Sequence, residues 1–493
     1  MGPQFSGQKA IVIGSGIGGM TAAITLAKFG YRVTMAEKNH LAGGLMRSYT
    51  RRGFDCEVGI HYLGALGPGQ PLHRIFEFLG IRPGIPLEPL GAGGVTDRYY
   101  LDDFVFDLPA GLEAFAEHLR AAFPSEQKPI TEVLEIVNLS AARLSSPDVL
   151  SGRSMTFDLK KDFHPVNGFL KEINCSGRLR QVLSVITASV GVPHDKCPLY
   201  LWSTALASYL LSSWRISCSG ARMAEVCAER FRELGGAMIT GDEAVRINVE
   251  NKRVKGVILK SGRELPAPLV VAAVHPKIAL ALIPEGSYLP EYRRKIQALE
   301  ETPGIVCLQA GIPESDHGPV PYNIYNLRVE NEDLSDVSFI QLKRTGKPDW
   351  NILTVIRRSD FQQWKQWENT FSGHRDGEYE AAKNNEARQL LEESRKILGP
   401  CENARVLDVF TPLTLRDLAS SPEGSAYGVM RSVKQKFRTA ALHRTPIKGL
   451  HVVGQSVMAP GILGTSLGAI RTLMPVIGPE ILDEWRALFG PKE

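Results

Sequence analysis

At 493 residues the chain is too long for one ordinary domain and suits two interwoven domains around a large core. Hydrophobic residues at 43% and charged residues at 22% are usual for a globular protein, and 57 basic against 53 acidic residues leave a net charge of +4, too small to argue for nucleic acid. Seven cysteines without a C-x-x-C pair fit buried thiols in a reducing compartment better than a disulfide scaffold or a zinc site. No charged leader with an apolar core precedes the first strand, and no apolar run of about 18 residues occurs, so a cytoplasmic protein without a membrane span is expected.

The apolar run Lys9–Ile13 reads as a buried parallel strand that stops abruptly at glycine. Gly14, Gly16 and Gly19 then fill the small-residue positions of G-x-G-x-x-G. The first permits the tight turn, the second lets backbone approach a pyrophosphate, and the third lets helix and strand pack closely. The following helix, Gly18 to Phe29, aims its free N–H groups at that pyrophosphate, with Ile17 and Gly18 beside it. Tyr31 to Ala36 is the second strand. Glu37 at its end is placed to accept the hydroxyls of an adenosine ribose and would repel a 2′-phosphate, which selects FAD or NAD over NADP.

Lys38 follows the acid, and the pair Gly43 and Gly44 suits backbone lying along the extended portion of a larger cofactor. Arg47 is read either as a phosphate partner or as a surface arginine. A hairpin around Arg51–Gly53 leads into Phe54–Gly64, which carries His61 and Tyr62.

The opening motif, the glycine pair and the segment GFDCEVGIHYLG together resemble the FAD-dependent amine-oxidase-like superfamily, and within it the phytoene desaturase, carotenoid isomerase and retinol saturase branch. The resemblance returns late: Thr411–Thr414 and Ser421–Gly428 are similar to the substrate-side segment of retinol saturases, and Gly449–Gln455 through Ala459–Gly464 resembles the closing flavin motif. It implies that Gly454 and Gln455 meet the ribityl chain, that Gly461, Ile462 and Leu463 face the isoalloxazine, and that the backbone of Ala244 touches adenine. Gln455 stands where such flavoproteins commonly have aspartate, a departure shared with the saturase-like branch. The fold implied is α/β, a Rossmann-type FAD-binding domain (1–75, 215–275 and 441–493) interrupted by a mixed α+β substrate domain (76–214 and 276–440).

Residues 71–213 read mostly as helices, including Leu112–Ala122 and Gly177–Val190. The almost wholly apolar Pro198–Leu211 is read as a core helix or a tunnel wall. An amphipathic helix Arg222–Gly236 precedes strand Ala237–Thr240, and Ala244–Ile247, Val254–Leu259 and Val270–Ala273 read as one meander. Three motifs invite other readings. The G-x-S-x-G match Gly464–Gly468 lies inside a helix start, where a hydrolase serine would stand between strand and helix. The eleven histidines show no paired metal spacing, so no metal is expected. Arg431–Lys448 carries six basic residues and no acid, and is read as resting on anionic lipid or as a solvated loop.

The reading is an FAD-dependent oxidoreductase acting on carbon–carbon double bonds of a hydrophobic polyene or isoprenoid-like small molecule, with saturation or isomerisation favoured. Desaturation, reductive cyclisation and a non-catalytic flavin-binding partner protein are the alternatives. Saturation needs a proton source, for which His61 and Tyr62 are the candidates; His61 is equally read as structural. No second G-x-G-x-x-G follows a strand, so NAD(P)H, if used, visits the flavin transiently without its own Rossmann domain.

Overall fold

The computed structural model describes residues 7–217 and 219–490. Its organising element is a five-stranded parallel sheet in the order Ala237–Thr240, Arg32–Glu37, Lys9–Ile13, Leu269–Ala272, Leu450–Val452. Three separate stretches of chain therefore build one sheet. The chain steps to one side of Lys9–Ile13 first and to the other side much later, so the C-terminal end of that strand is a topological switch point, where open α/β sheets bind ligands.

The turn after it is dictated by glycine. Gly14 adopts φ +93°, and a Cβ there would lie 2.8 Å from the Ala273 carbonyl oxygen. At Gly19 a Cβ would lie 2.0 Å from the Gly14 carbonyl oxygen, so only glycine lets helix Ile17–Lys28 start this close to its strand. That helix is buried from Gly18 to Ala27, packed against helices Gly220–Glu233 and Gly461–Ile477. The core on this face joins Met20, Ile24, Met35, Phe76, Phe231 and Trp485; on the opposite face Ile11, Ile13, Val257 and Val270 form a second one.

A seven-stranded sheet dominates the rest, in the order Arg405–Phe410, Gly304–Pro313, Trp350–Ser359, Asp333–Arg344, Asn323–Glu330, Val95–Leu101, Phe104–Pro109. All its pairings are antiparallel except that of Asn323–Glu330 with Val95–Leu101. Helices between Leu112 and Leu211 share a core with one face, where Trp202, Leu206 and Tyr209 meet Tyr99, Tyr325 and Phe339. Helix Gly377–Leu398 covers the other face.

The region 71–213 is mostly helical, as expected, and includes Val95–Leu101 and Phe104–Pro109, which form an edge hairpin of the large sheet. Two expectations are corrected in detail. The helix beginning at Gly177 stays α-helical only to Ser184 and continues as a 3₁₀ segment to Val190. Leu269–Ala272 is not the third strand of the meander, which is completed by Glu264–Pro266; it joins the parallel sheet, buried at all four residues. Six cysteines are buried and unpaired, and Cys218 lies outside the described residues. Among the described residues no helix is long and apolar enough to cross a membrane.

Candidate active site

One cavity of about 1010 Å³ begins at the Gly14–Gly18 turn, passes Glu37, Arg47 and His61, and continues to Tyr200, Arg431 and Arg471. Ligand pockets span ~300–1,000 Å³, and this cavity stands at the top of that range.

At the nucleotide end the structure separates glycines that face the cavity from glycines that pack. Gly16, Gly454 and Gly461 have no heavy atom within 4 Å of where a Cβ would stand, and all three line the cavity. Gly18 touches Gly454, where a Cβ would come 3.0 Å from its Cα, so the two distant glycine-containing motifs meet. Gly44 lies against Gly16, at 2.8 Å by the same measure. Gly19 and Gly43 are not among the lining residues: Gly43 packs on Ala224, and its N–H donates to Ser15 Oγ at 2.9 Å. Helices Ile17–Lys28 and Gly461–Ile477 both start at this cavity without a side-chain cap, leaving backbone N–H groups and the positive dipole ends for an anionic or polar ligand. Ile17, Lys38, Ala244, Gln455, Ile462 and Leu463 also line it.

Glu37 is more engaged than its position in the motif suggests. Its Oε2 accepts from Ser15 N–H at 2.9 Å and Ser15 O–H at 2.6 Å, while Oε1 accepts from the backbone and side-chain amides of Asn39 at 2.9 and 2.8 Å. A carboxylate offers about four lone-pair sites, so any further donor at Glu37 would have to displace one of these, most readily the Ser15 hydroxyl or the Asn39 side chain. Arg47 is held by the Gly44 carbonyl at 2.8 Å. Lys38 donates to Ser420 Oγ at 2.6 Å and to the Asp417 carbonyl, and burial lowers its pKa. Gln455 reaches the Ala426 carbonyl at 3.5 Å.

The segment carrying His61 is clamped between helix Gly220–Glu233 and the large sheet. Glu57 accepts from Gly220 N–H at 3.0 Å and pairs with Lys343 at 3.2 Å, and Leu63–Gly64 pairs with Ser213–Ile216. Further on, Gln341 donates to the His61 carbonyl at 3.2 Å and to Asn323 at 3.0 Å; Asn323 and Tyr209 both donate to Asp97. Burial drives the Asp97 carboxyl up to about 7.

His61 itself is half-buried, with both ring nitrogens shielded and neither hydrogen-bonded. Two such orphans cost about 1–3 kcal/mol each unless a ligand satisfies them. Burial, and secondly the Lys343 charge, push its pKa down to about 3, so the ring is neutral and offers one donor and one acceptor. Tyr62 hydrogen-bonds Tyr325 through their hydroxyls at 2.9 Å and stacks at 4.9 Å from Tyr209; burial raises its pKa, so it stays protonated.

Elsewhere, Ser466 of the G-x-S-x-G match is fully buried in helix Gly461–Ile477 and bonded to Thr21, and the flanking glycines accommodate Ala459 and Met458. Among the described residues no group of three or more His, Cys, Asp or Glu could hold a metal. Sequence reasoning passed over Ser15, which ties the glycine turn to Glu37 and Gly43, although its place between two motif glycines was visible. It also read Arg431 with its charge run, whereas Arg431 is 7% exposed and turned inward.

Residues 12–79 match the NAD(P)-binding Rossmann-like domain family. The chain is 22% identical to the all-trans-retinol 13,14-reductase of Danio rerio, over 94% of this chain and 84% of that protein. It is 23% identical to the 4,4'-diapolycopene oxygenase of Methylomonas sp, over 92% and 95%. Among solved structures, an oxidoreductase from Methanosarcina mazei superposes with a TM-score of 0.67 at 16% identity, covering 94% of this chain and 99% of that one, which shows the shared fold. The resemblance to the phytoene desaturase, carotenoid isomerase and retinol saturase family thus extends along nearly the whole chain and not only through its two terminal motifs.

Proposed function

We propose that this protein is an FAD-dependent oxidoreductase that acts on carbon–carbon double bonds of a hydrophobic polyene or isoprenoid-like substrate, by saturation or isomerisation. The observation that carries this is the continuity of the cavity: an open glycine cradle and two uncapped helix starts at one end, aromatic and aliphatic walls at the other, with the unpartnered His61 between them. The relatives are named as enzymes of retinoids and carotenoids, which supports a polyene.

The residues present fit FAD. Gly14, Gly16, Ile17 and Gly18 would hold its pyrophosphate, Glu37, Lys38 and Ala244 its adenosine, Arg47, Gly44, Gly454 and Gln455 its middle, and Gly461, Ile462 and Leu463 its ring. Bound there, FAD supplies hydride chemistry. The chain's own part is to orient, to exclude water and to manage a proton. His61, neutral and free at both nitrogens, is suited to hold a polar atom of cofactor or substrate. Tyr62, protonated and backed by Tyr325, is the better placed proton source of the two. The FAD-binding domain comprises 1–75, 215–275 and 441–493, and the exposed basic segment near Phe437 rests on a membrane surface from which a greasy substrate is drawn.

The test is spectroscopic. With FAD bound and chemically reduced, addition of a suitable polyene without oxygen should reoxidise the flavin if the protein is a saturase; a non-catalytic flavin-binding protein leaves the reduced spectrum unchanged with every polyene and yields no product.

A further inference from the structure

Charge is unevenly distributed over the lining of the cavity. Its acidic lining residues, Glu37 and Glu243, sit at the nucleotide end. Arg431, Lys436, Arg444 and Arg471, with His443 among them, also line the cavity, and Arg431 and Arg471 reach the stretch between Gln455 and Gly461. Arg431 is 7% exposed; one of its amino groups donates to the Ser456 carbonyl at 3.1 Å, and its Nε has no partner. Arg471 contacts the sulfur of Met458 at 3.8 Å and lies against Gly152, where a Cβ would come within 2.5 Å of it. Ser456 and Met458 belong to one short stretch, so both guanidiniums hang from the same wall. Lys436 lies 5.4 Å from the Phe163 ring, and Phe163, Phe157 and Tyr200 form one triangle of rings, with centroids 5.0 Å (Phe163–Tyr200), 4.9 Å (Phe157–Tyr200) and 6.3 Å (Phe157–Phe163) apart. Arg444 contacts the adjacent His443. None of these four cations forms an ion pair with an acid among the described residues, whereas the outward neighbour Lys434 pairs with Glu300.

A buried guanidinium is normally matched by a carboxylate, because isolated charge is expensive to desolvate. Here Arg431 is buried, Lys436 and Arg471 line the same cavity half-buried beside a cluster of aromatic rings, Arg444 adds an exposed charge, and no acid among the described residues matches them. We propose that this basic part of the cavity binds the anionic head of an amphiphilic substrate, a carboxylate or a phosphate at the end of an unsaturated chain, with Arg431 as its principal partner. The aromatic rings then flank the first carbons of the chain, and the head fixes which double bond reaches the flavin end. This rests on reading this part of the cavity as the substrate site.

The experiment uses the FAD-loaded protein and measures equilibrium binding and product mass separately, for a polyene carboxylic acid, its methyl ester and an isoprenyl monophosphate. The acid or the phosphate should bind at least tenfold more tightly than the ester, and whichever does so identifies the head. Arg431→Gln should bring that ratio close to one while FAD content is unchanged, and Arg431→Lys should restore part of it. Should Arg431→Gln fail to fold, the pair Lys436→Gln and Arg471→Gln should weaken acid binding and spare the ester. Equal affinity for charged and neutral forms overturns the proposal, as does a ratio that the variants leave unchanged. So does equal loss for acid and ester with a shifted flavin potential, which would assign Arg431 to the cofactor. Charge-selective binding with no change in any bound polyene would leave the anion site standing and defeat the proposed reaction instead.

Discussion

Gly16 and Gly19 share one turn of chain and differ in what a side chain would meet. Gly16 opens on the cavity, so Gly16→Val should fold with the parent's melting temperature and purify without FAD; a full complement of flavin, read from visible absorbance per protein, would remove the assignment. Gly19 has a carbonyl in the way, and its replacement should fail to fold at all. His61 offers a second test. Its folded pKa, about 3, lies below the ordinary 6.5, so between those values the unfolded chain binds a proton that the folded chain does not. The stability associated with the neutral ring is therefore present above pH ~6.5 and lost as pH falls towards 3. Asp97 has the opposite sign: its folded pKa of about 7 exceeds 3.8, so its contribution is present below 3.8 and fades as pH rises through 7. In urea melts, His61→Gln should lose less stability than the parent between about pH 7 and 4.5, and Asp97→Asn should lose less between about pH 5 and 8. Parallel curves for parent and variant would refute each.

At the scale of elements, the parts legible in the sequence are those where one residue type has a single backbone meaning. The glycine turn, its helix and Glu37 were readable because Gly14 and Gly19 are demanded by local contacts. Strand Leu269–Ala272 was recognised as a strand and given the wrong sheet, although four unalternated apolar residues buried on both faces are the mark of a parallel sheet. The seven-stranded sheet escaped because its pairings, such as Asn323 with Asp97, join distant chain segments whose register no local pattern records. The basic segment was read as a unit, yet Arg431 points into the cavity while Phe437 is 71% exposed beside Lys436 and Arg438. Nothing in residue order distinguishes them. If the outer part rests on anionic lipid at about 1 kcal/mol per basic residue, Lys434→Glu with Arg438→Glu should lower pelleting with anionic liposomes at least tenfold, and moderate salt should do the same. Equal pelleting would make it a solvated loop.

At the scale of the whole molecule, the cavity joins a nucleotide cradle assembled from three stretches of chain to a greasy compartment walled by helices and by the large sheet. On the proposed function, such an arrangement would place a double bond beside a flavin and exclude water, and it would serve saturation, isomerisation, desaturation or cyclisation alike. Direction is decided by the redox state the reaction needs, so the most direct measurement is the mass and geometry of product. The protein is incubated without oxygen with conjugated and partly saturated polyenes, once with oxidised and once with chemically reduced FAD. Change is predicted only with reduced FAD: a gain of two hydrogens for a saturase, or unchanged mass with altered double-bond geometry for an isomerase. Loss of two hydrogens with oxidised FAD would contradict this and make the chain a desaturase.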